Sequence, residues 1–353
     1  MPLTPALEQF ITQMPKVELH VHLEGAIAPE TLLHLAGQHG VALPAASVEE
    51  LRNWYTFRGF PHFVEIYLLI SSCIRTPDDI ELIAREFLAG QAAQNVLYTE
   101  VTYTAFTHFA RKGISFADQL AALSRARRWA AAELDTGMGL IIDIPRVVSP
   151  EEGLLVADWA ISGMGDGVVA LGTGGTEVGN PPERYAAAFE RARAAGLVCV
   201  PHAGETVGAE SIWSALRVCR PARIEHGITC LEDPALVIEL RKRQIPLDVC
   251  PTSNVCLGVV PSVAAHPLPL LLAEGLYVTI GSDDPPMFNT TLTGEYLALA
   301  AELDFEAPLI QQLILNAARA ALLPETERAA LVRRCVEGLA EASTPLLFEA
   351  PGA

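Results

Sequence analysis

Two histidines, His20 and His22, are separated by one residue in the segment KVELHVHLEG (16–25). Side chains alternate between the two faces of a strand, so both imidazoles would project from the same face. Two imidazoles in this arrangement can bind one metal ion, but they can equally form a hydrogen-bonded pair in the protein interior. This segment alone leaves both interpretations open.

A histidine followed three residues later by a carboxylate occurs in the segment VPHAGET (200–206), which holds His202 and Glu205. A histidine at the end of a strand is often only a hydrogen-bonded polar residue. Next to a carboxylate it becomes a candidate metal ligand beside a candidate general acid or base. The segment RIEHGI supplies a second histidine of this kind, His226.

Two adjacent carboxylates, Asp283 and Asp284, stand before two prolines in the segment TIGSDDPPMF. Aspartate before proline is common in turns, so turn chemistry is one explanation. Two neighbouring carboxylates repel each other, however, unless a cation or a proton lies between them. One of the pair could therefore bind a metal ion while the other contacts a substrate.

Eight short apolar runs alternate with helical patterns along the chain. The predicted strands are KVELHVH, VLYTEVTY, MGLIIDI, GVVALG, LVCVPH, ARIEH, IPLDVC and LYVTIGS. This alternation predicts an α/β fold, the (β/α)8 TIM barrel, as a single domain over residues 1–353. An open doubly wound sheet is the structural alternative, but no glycine-rich turn follows the first strand to support its dinucleotide site.

The candidate residues share one position in such a barrel, the C-terminal ends of the predicted strands. They are His20, His22, His202, His226 and Asp283. Barrel enzymes keep their active sites at this end. Histidines combined with one carboxylate suit zinc, and no cysteine pair accompanies them. These residues therefore predict a hydrolase with a single metal ion that makes water nucleophilic.

The first connection between strands is longer than the others and spans about residues 26–95, where several helices are predicted. Within it Phe57, Phe60, Phe63 and Tyr67 recur at three- and four-residue spacing, which puts them on one face of a helix. This face can pack on the barrel, and it can also cover the barrel mouth. We expect this insertion, with its extra helices after strand 1, to act as a lid.

The composition restricts the partners. The chain has 353 residues and a formal net charge of −18, which disfavours phosphate backbones and anionic membrane surfaces. We expect neither nucleic acid nor a membrane as partner, and neither a signal peptide nor a membrane-spanning segment. Seven cysteines without a CxxC pair indicate reduced thiols. Together these features predict a cytoplasmic protein.

Seven segments of the chain resemble the adenosine deaminase family of the amidohydrolase superfamily. They are ELHVHLEG (18–25), TEVTY (99–103), GGTEVGNPP (174–182), HAGE (202–205), EHG (225–227), CPTSN (250–254) and SDDP (282–285). The segments follow the family's order and span most of the chain. The combination of HLEG, HAGE and DDP is specific, so the resemblance implies a metal-dependent aminohydrolase of purine metabolism that acts on a small 6-aminopurine.

The resemblance also implies roles for individual residues. The ligands of one zinc ion per subunit would be His20, His22, His202 and Asp283, and the ion would activate water for attack on C6 of the purine. Glu205 would exchange a proton with the ring nitrogen N1, and His226 would orient the water or accept its proton. Asp284 would hydrogen-bond N7, which requires a proton either on N7 or on Asp284. The backbone amide of Gly175 would contact N3.

One residue departs from the adenosine-specific members of the family, which usually have HLDG where this chain has HLEG. Their aspartate meets the ribose 5′-hydroxyl, so Glu24 leaves the substrate contact at this corner open. HLEG also occurs in relatives that act on free adenine, whereas Gly175 resembles the nucleoside enzymes. A 5′-modified nucleoside such as 6-aminodeoxyfutalosine, whose 5′ carbon bears a benzoate, needs a nearby cation, for which Arg58 and Arg146 are candidates.

Adenosine or a 5′-modified adenosine is therefore the expected substrate, with adenine as the alternative. Two other classes of function are disfavoured by particular residues. A barrel hydrolase acting on amides or phosphoesters would need a lysine after strand 4 to bridge a second metal ion, and the run ALGTGGTE has none. A relative that only binds its ligand would be expected to lack Glu205 or His226. The oligomeric state cannot be inferred from these patterns.

Overall fold

Eight parallel strands follow one another around a barrel in the order of the sequence, in a computed structural model that describes residues 3–343. The strands are β1 (Lys16–His22), β2 (Val96–Tyr103), β3 (Gly137–Pro145), β4 (Val168–Gly174), β5 (Val198–Ala203), β6 (Ile224–His226), β7 (Leu247–Val249) and β8 (Val278–Ile280). Each strand pairs with the next. A bridge between Val21 and Asp283 joins the last strand end to the first. The predicted (β/α)8 barrel is confirmed.

Sixteen α-helices lie within the described residues. They are α1 (Pro5–Gln13), α2 (Pro29–His39), α3 (Val48–Trp54), α4 (Phe60–Ser71), α5 (Pro77–Ala93), α6 (Ala105–Lys112), α7 (Phe116–Glu133), α8 (Pro150–Ser162), α9 (Ala186–Ala194), α10 (Ala209–Val218), α11 (Pro234–Arg243), α12 (Pro251–Cys256), α13 (Leu268–Ala273), α14 (Leu292–Glu302), α15 (Ala307–Ala320) and α16 (Glu325–Ala342). None of them is long and apolar enough to cross a bilayer.

The last three strands are shorter than the sequence indicates, with three residues each. Backbone conformation accounts for two of these early ends. His226 ends β6 with a φ of 66°, and Asp283 follows β8 with a φ of 63°. Residues other than glycine rarely adopt such angles, and when they do they cluster at functional sites. The strands therefore end where the candidate site residues begin.

The long first connection contains helices α2 to α5. Helix α5 begins with a capping box, in which Thr76 accepts from the amide of Asp79 and the Asp79 carboxylate accepts from the amide of Thr76. Helix α4 buries Phe63 and Ile66 on one face. The aromatic periodicity predicted this helix, but the helix begins at Phe60, so Phe57 lies outside it in the preceding turn, where its ring packs against Phe63. Helix α4 contributes to the wall of the cavity at the C-terminal end of the barrel.

The barrel interior separates apolar and polar side chains by strand alternation. Val17 and Leu19 of β1 face outward and pack in one apolar cluster with Phe10 of α1 and Leu313 of α15. The inward-facing polar groups are paired. An example is the fully buried Arg223, whose Nη1 lies 2.7 Å from Oε2 of Glu100 and whose Nε lies 2.8 Å from Oδ2 of Asp248. Buried ion pairs inside the barrel thus connect β2 and β7 through Arg223, which immediately precedes β6.

All seven cysteines are free thiols, and six of them are buried. Burial raises the pKa of the Cys199 thiol to about 11 and that of the Cys335 thiol to about 12. These thiols therefore stay protonated near neutral pH and pack as small apolar groups. The structure places none of the seven cysteines in a disulfide.

Candidate active site

A cavity of about 280 Å³ opens at the C-terminal ends of the strands, where helices α4 and α6 contribute to its walls. Its inner end is polar and is lined by His22, His202, His226, Glu205, Asp283 and Asp284. Its outer walls are mainly apolar and include Phe60, Val64, Phe106, Val147 and Val148. A pocket with a few convergent polar groups and apolar walls is the usual form of a small-molecule site.

Histidine nitrogens and one carboxylate converge at the inner end of this cavity. Nε2 of His22 lies 3.1 Å from Nε2 of His202. Oδ1 of Asp283 lies 3.3 Å from Nε2 of His22 and 3.6 Å from Nε2 of His20. Strand ends far apart in the sequence therefore bring four predicted ligands together, as the barrel topology requires.

The chemistry of this cluster fits a metal ion. Nε2 of His20 is fully buried and has no hydrogen-bond partner among residues 3–343. Such a nitrogen is costly to bury unless it binds something. Asp283 keeps its pKa well below the usual range, because the hydrogen bond with His22 and the neighbouring His20 outweigh the effect of burial. An ionised carboxylate is a suitable ligand for zinc, and zinc would displace the proton of His22, whose pKa is raised well above its usual range by Asp284 and Asp283 although burial opposes this.

The other atoms of these side chains are held by the surrounding protein. Nδ1 of His20 lies 2.9 Å from the carbonyl oxygen of Asp248. Nδ1 of His202 lies 2.6 Å from Oε2 of Glu225. Although burial opposes its ionisation, the adjacent His202 lowers the pKa of Glu225 to about 2. Such partners orient metal-binding imidazoles and leave each Nε2 directed toward the cluster.

His226 also lies close to this cluster, so two overlapping sets of side chains could bind a metal ion. One set is His20, His202, His226 and Asp283, and the other is His22, Asp283 and Asp284. Nε2 of His226 is 3.9 Å from Oδ2 of Asp283, farther than His22 is from the same carboxylate. It lies 3.6 Å from Oε1 of Glu205. His22 therefore lies closer than His226 to the carboxylate of Asp283.

The pKa values of Glu205 and His226 are shifted in opposite directions from their ordinary values. Burial and the nearby Asp283 raise the pKa of Glu205 well above its usual range. Burial and the neighbouring His20 hold the pKa of His226 well below its usual range. The carboxyl group of Glu205 therefore keeps its proton to a higher pH, and the imidazole of His226 stays neutral to a lower pH, than the same groups free in water. An acid and a base with separated pKa values are typical of catalytic sites.

Asp284 lines the cavity and keeps a fully buried Oδ1 without a hydrogen-bond partner in the described chain. Burial and the charge of Asp283 raise its pKa well above the usual range, so this carboxyl group can donate a hydrogen bond. Its space depends on Gly25, because a Cβ atom there would lie 1.6 Å from Oδ1 of Asp284. The glycine of the HLEG segment thus leaves room for the second aspartate.

Gly175 also lines the cavity, at the end of β4, with a φ of 90° that favours glycine. Glu24 does not line it, since its two oxygens contact protein groups. Oε1 accepts hydrogen bonds from the amide of Thr104 at 3.1 Å and from Nε2 of His108 at 3.0 Å, and Oε2 accepts one from the hydroxyl of Tyr67 at 3.1 Å. Glu24 therefore links β1 to α4 and α6.

Three arginines differ in whether they line the cavity and in whether their guanidinium groups already have partners. Arg58 is exposed and does not line it. Arg146 lines it and is buried, but its Nη1 and Nη2 donate to the carbonyl oxygens of Asn180 and His202 at 2.7 and 2.5 Å. Arg111 of α6 lines the outer part, is exposed, and has no hydrogen bond or ion pair to another described residue. It is therefore the available cation.

Sequence reasoning overlooked Arg111 and Asp143. Arg111 follows Thr104 and Thr107 at helical spacing, and both threonines line the cavity, so the pattern of α6 could have indicated it. Asp143 is a polar residue at the end of β3, like the residues that were recognised. It lines the cavity, is 3% exposed, and its Oδ1 has no hydrogen-bond partner in the described residues.

The sequence and the fold are similar to those of known deaminases. An aminodeoxyfutalosine deaminase from Streptomyces avermitilis is 39% identical over 92% of this chain and 90% of its own length. An adenine deaminase from Trichlorobacter lovleyi is 38% identical over 93% of this chain and 94% of its own length. A crystal structure of an amidohydrolase from Burkholderia ambifaria with bound zinc is 27% identical, has a TM-score of 0.91, and aligns over 99% of this chain and 97% of that one.

The family model described as adenosine deaminase matches residues 15–337, which include every candidate site residue. The two relatives from Streptomyces avermitilis and Trichlorobacter lovleyi are named as deaminases of aminodeoxyfutalosine and of adenine. The chain therefore belongs to the adenosine deaminase family, and it is a metal-dependent hydrolytic deaminase.

Proposed function

We propose that this protein is a zinc-dependent deaminase of a 6-aminopurine nucleoside whose 5′ carbon carries a carboxylated aromatic group, such as 6-aminodeoxyfutalosine. The observation that carries this proposal is the outer part of the cavity. Beyond the polar inner end it continues between apolar walls to Arg111, an arginine without an ionic partner in the described residues. An apolar passage that ends at a cation suits an aromatic carboxylate.

The metal ion would be held by three nitrogens and one oxygen, those of His20, His22, His202 and Asp283. This donor set, in which the imidazoles of His20 and His202 are oriented through their other nitrogen, is suited to one zinc ion per subunit. When bound, the ion supplies Lewis acidity that makes water nucleophilic at neutral pH. The remaining residues would bind the purine and move protons.

Glu205 would donate its proton to the ring nitrogen N1, which withdraws electron density from C6 and prepares it for attack by water. The raised pKa of Glu205 supports this role, because such a carboxyl group keeps its proton to a higher pH and can donate it to the substrate. The neutral His226 would accept the proton that the water loses. His226 would pass this proton to the amino group, which leaves as ammonia. The second proton of the water would return to Glu205, and the oxygen remains on C6 as the carbonyl oxygen of a product that keeps the proton on N1.

Asp284 and Gly175 would orient the purine. The raised pKa of Asp284 favours the form in which the carboxyl group donates to N7 over the form that needs a protonated N7. The amide of Gly175 would donate to N3 from the end of β4. Contacts at both edges of the ring would fix C6 at the inner end of the cavity.

The occupied oxygens of Glu24 support a substrate without a free 5′-hydroxyl. Both oxygens already accept hydrogen bonds from protein groups. A 5′-hydroxyl would have to displace one of them, whereas a 5′ carbon with an apolar substituent would not. The substituent would lie along α4, where Phe60 and Val64 line the cavity, and residues 26–95 would act as the lid over it.

Adenine is the second candidate substrate, and it is favoured by the adenine deaminase relatives and by the same occupied Glu24. The two candidates differ in what fills the outer cavity. Ammonia release should be measured side by side on 6-aminodeoxyfutalosine, adenosine, 5′-methylthioadenosine and adenine with zinc-loaded protein. We expect the highest kcat/KM on 6-aminodeoxyfutalosine. The highest kcat/KM on adenine would reject the proposed nucleoside, and no turnover of any of the four would reject the reaction.

A further inference from the structure

The connection after β4 approaches the turn that carries Glu205. Glu177, in the segment GGTEVGNPP, lies two residues beyond Gly175 and is 5% exposed. It does not line the cavity, and no step of the proposed reaction uses it. Its carboxylate lies against residues 204–207, which lead from β5 into helix α10.

Five donors surround the carboxylate of Glu177. Oε1 accepts from the amide of Gly204 at 2.7 Å and from the hydroxyl of Ser211. Oε2 accepts from the amides of Thr206 and Val207, both at 2.9 Å, and from the hydroxyl of Thr206 at 3.3 Å. The amides of Gly204 and Thr206 stand immediately before and after Glu205. One side chain therefore fixes the backbone on both sides of that residue.

The turn at residues 204–207 needs such an acceptor. Gly204 has a φ of 69°, and a Cβ atom there would lie 2.4 Å from Cδ1 of Ile212, so the chain bends sharply against α10. The amides of Gly204, Thr206 and Val207 precede the first residue of α10, Ala209, so they take no part in the helical hydrogen bonds. A buried amide without a partner is costly, and an ionised acceptor is the strongest partner available.

Glu177 is ionised in this position. Burial opposes its ionisation, but the hydrogen bond from Ser211 and the nearby Arg146 hold its pKa below the usual range. Arg146 contributes a second fastening, because its guanidinium joins the carbonyl oxygens of Asn180 and His202. The connection after β4 and the end of β5 are thus fastened together by a carboxylate and a guanidinium group.

We infer that Glu177 is the positioning residue of Glu205, whose carboxyl group it holds at the distance from N1 that proton transfer requires. This inference rests on the proposed function, in which Glu205 carries the proton. Glu177 also follows Gly175 and Thr176, which line the cavity, so the same short segment contacts the substrate and fixes the acid. Proton transfer falls steeply when the donor is displaced by about 1 Å, so the effect should appear in kcat.

Two substitutions displace the turn in different ways. Glu177→Asp keeps the charge but withdraws it by one methylene group, and Glu177→Gln keeps the length but presents an amide to amide donors. We expect each to lower kcat about ten- to a hundredfold and to change KM by less than about threefold. Zinc content should stay close to that of the unsubstituted protein, because no ligand is changed, and the melting temperature should fall by only a few degrees, because the buried amides lose part of their acceptor.

Glu232→Gln is the matched control. Oε2 of Glu232 accepts from the amide of Ala209 at 3.3 Å, at the start of the same helix, but contacts no residue beside Glu205. The control removes a carboxylate that binds the same part of the backbone. We expect its kcat to stay within about twofold of the unsubstituted value. Amide hydrogen exchange of residues 203–207 should become faster in both Glu177 variants and should not change in the control.

Combination with Glu205→Gln separates positioning from a general structural effect. If Glu177 acts through Glu205, adding Glu177→Gln or Glu177→Asp to Glu205→Gln should lower the residual rate by less than about twofold. An unchanged kcat in either folded, zinc-loaded Glu177 variant would overturn the inference, as would a full further loss in the double variants. Full activity of Glu205→Gln alone would instead overturn the proposed role of Glu205.

Discussion

The hydroxyl group of Tyr67 lies 3.1 Å from Oε2 of Glu24, and it joins helix α4 of the first connection to the end of strand β1. Tyr67 also lines the cavity, whereas Glu24 does not. The carboxylate is ionised, because the hydrogen bond with His108 lowers its pKa although burial opposes this. The residue at which the chain departs from HLDG therefore ties the wall of the cavity to the metal-binding strand.

Loss of the hydrogen bond between Tyr67 and Glu24 should lower the local stability of α4 without unfolding the barrel. Tyr67→Phe removes one hydrogen bond to a charged acceptor, and Glu24 keeps Thr104 and His108. We expect amide exchange in α4 to accelerate about tenfold, corresponding to about 1–2 kcal/mol of local stability. Tyr277→Phe, which removes a hydroxyl that donates to the carbonyl oxygen of Asn316 at 2.9 Å, is the control. Equal rates of amide hydrogen exchange in α4 with and without Tyr67→Phe would show that this hydrogen bond does not stabilise the helix.

Removal of a proposed ligand should remove the metal ion. His20→Ala and Asp283→Ala should each weaken zinc binding by more than about a hundredfold, because each takes away a donor atom from a buried site. Zinc content can be measured on purified protein after dialysis against a weak chelator. His34→Ala, which changes an exposed histidine of α2, should retain one zinc ion per chain. Undiminished zinc in either ligand variant would reject its assignment.

Arg111 should matter only for a substrate that carries an anion. Arg111→Gln should raise KM for 6-aminodeoxyfutalosine about three- to tenfold, the range for a partly screened ion pair. It should leave the kinetics with adenosine within about twofold. Lys112→Gln removes the same charge from the neighbouring residue, which does not line the cavity, and should change neither substrate. Equal changes in KM for 6-aminodeoxyfutalosine and adenosine would show that Arg111 does not bind the substrate carboxylate.

The paired Glu225 should give the metal-free protein a specific dependence on pH. Its pKa is about 2 in the folded chain, compared with an ordinary value of 4.5. Since the folded value is depressed, its stabilisation is complete above about pH 4.5 and is lost as the pH falls toward 2. The difference in unfolding free energy between the unsubstituted protein and Glu225→Gln should therefore shrink over this range.

The exposed Glu190 of α9 provides the control for that titration. Glu190→Gln should differ from the unsubstituted protein by a small amount that stays constant as the pH changes, because no buried partner holds its charge. Unfolding can be followed with urea at each pH. A pH-independent difference for Glu225→Gln would mean that its charge does not stabilise His202.

The barrel and the grouping of the candidate ligands could be predicted from the sequence because both follow from local rules. Strand alternation places His20 and His22 on one face, and parallel strands bring their C-terminal ends to one end of the barrel. His202 and Asp283 then fall beside them without any knowledge of loop geometry. The same rules could have identified Asp143, which also ends a strand.

The partners of Glu24 could not be predicted in this way. Tyr67 is 43 residues away in the chain and His108 is 84 residues away, on helices whose placement depends on packing across the barrel mouth. The role of Glu177 could not be predicted for the same reason, since it depends on a turn from a different segment, whereas the helical spacing of α6 could have indicated Arg111. Substrate preference resides in such contacts, whereas the reaction class resides in the strand ends.

The most direct test of the reaction is to measure zinc content and ammonia release on the same samples of the unsubstituted protein and Glu205→Gln. We expect one zinc ion per chain in both proteins, ammonia release from 6-aminodeoxyfutalosine by the unsubstituted protein, and a rate about a thousand- to ten-thousandfold lower for the variant. Retention of nearly full turnover by zinc-loaded Glu205→Gln would contradict the account.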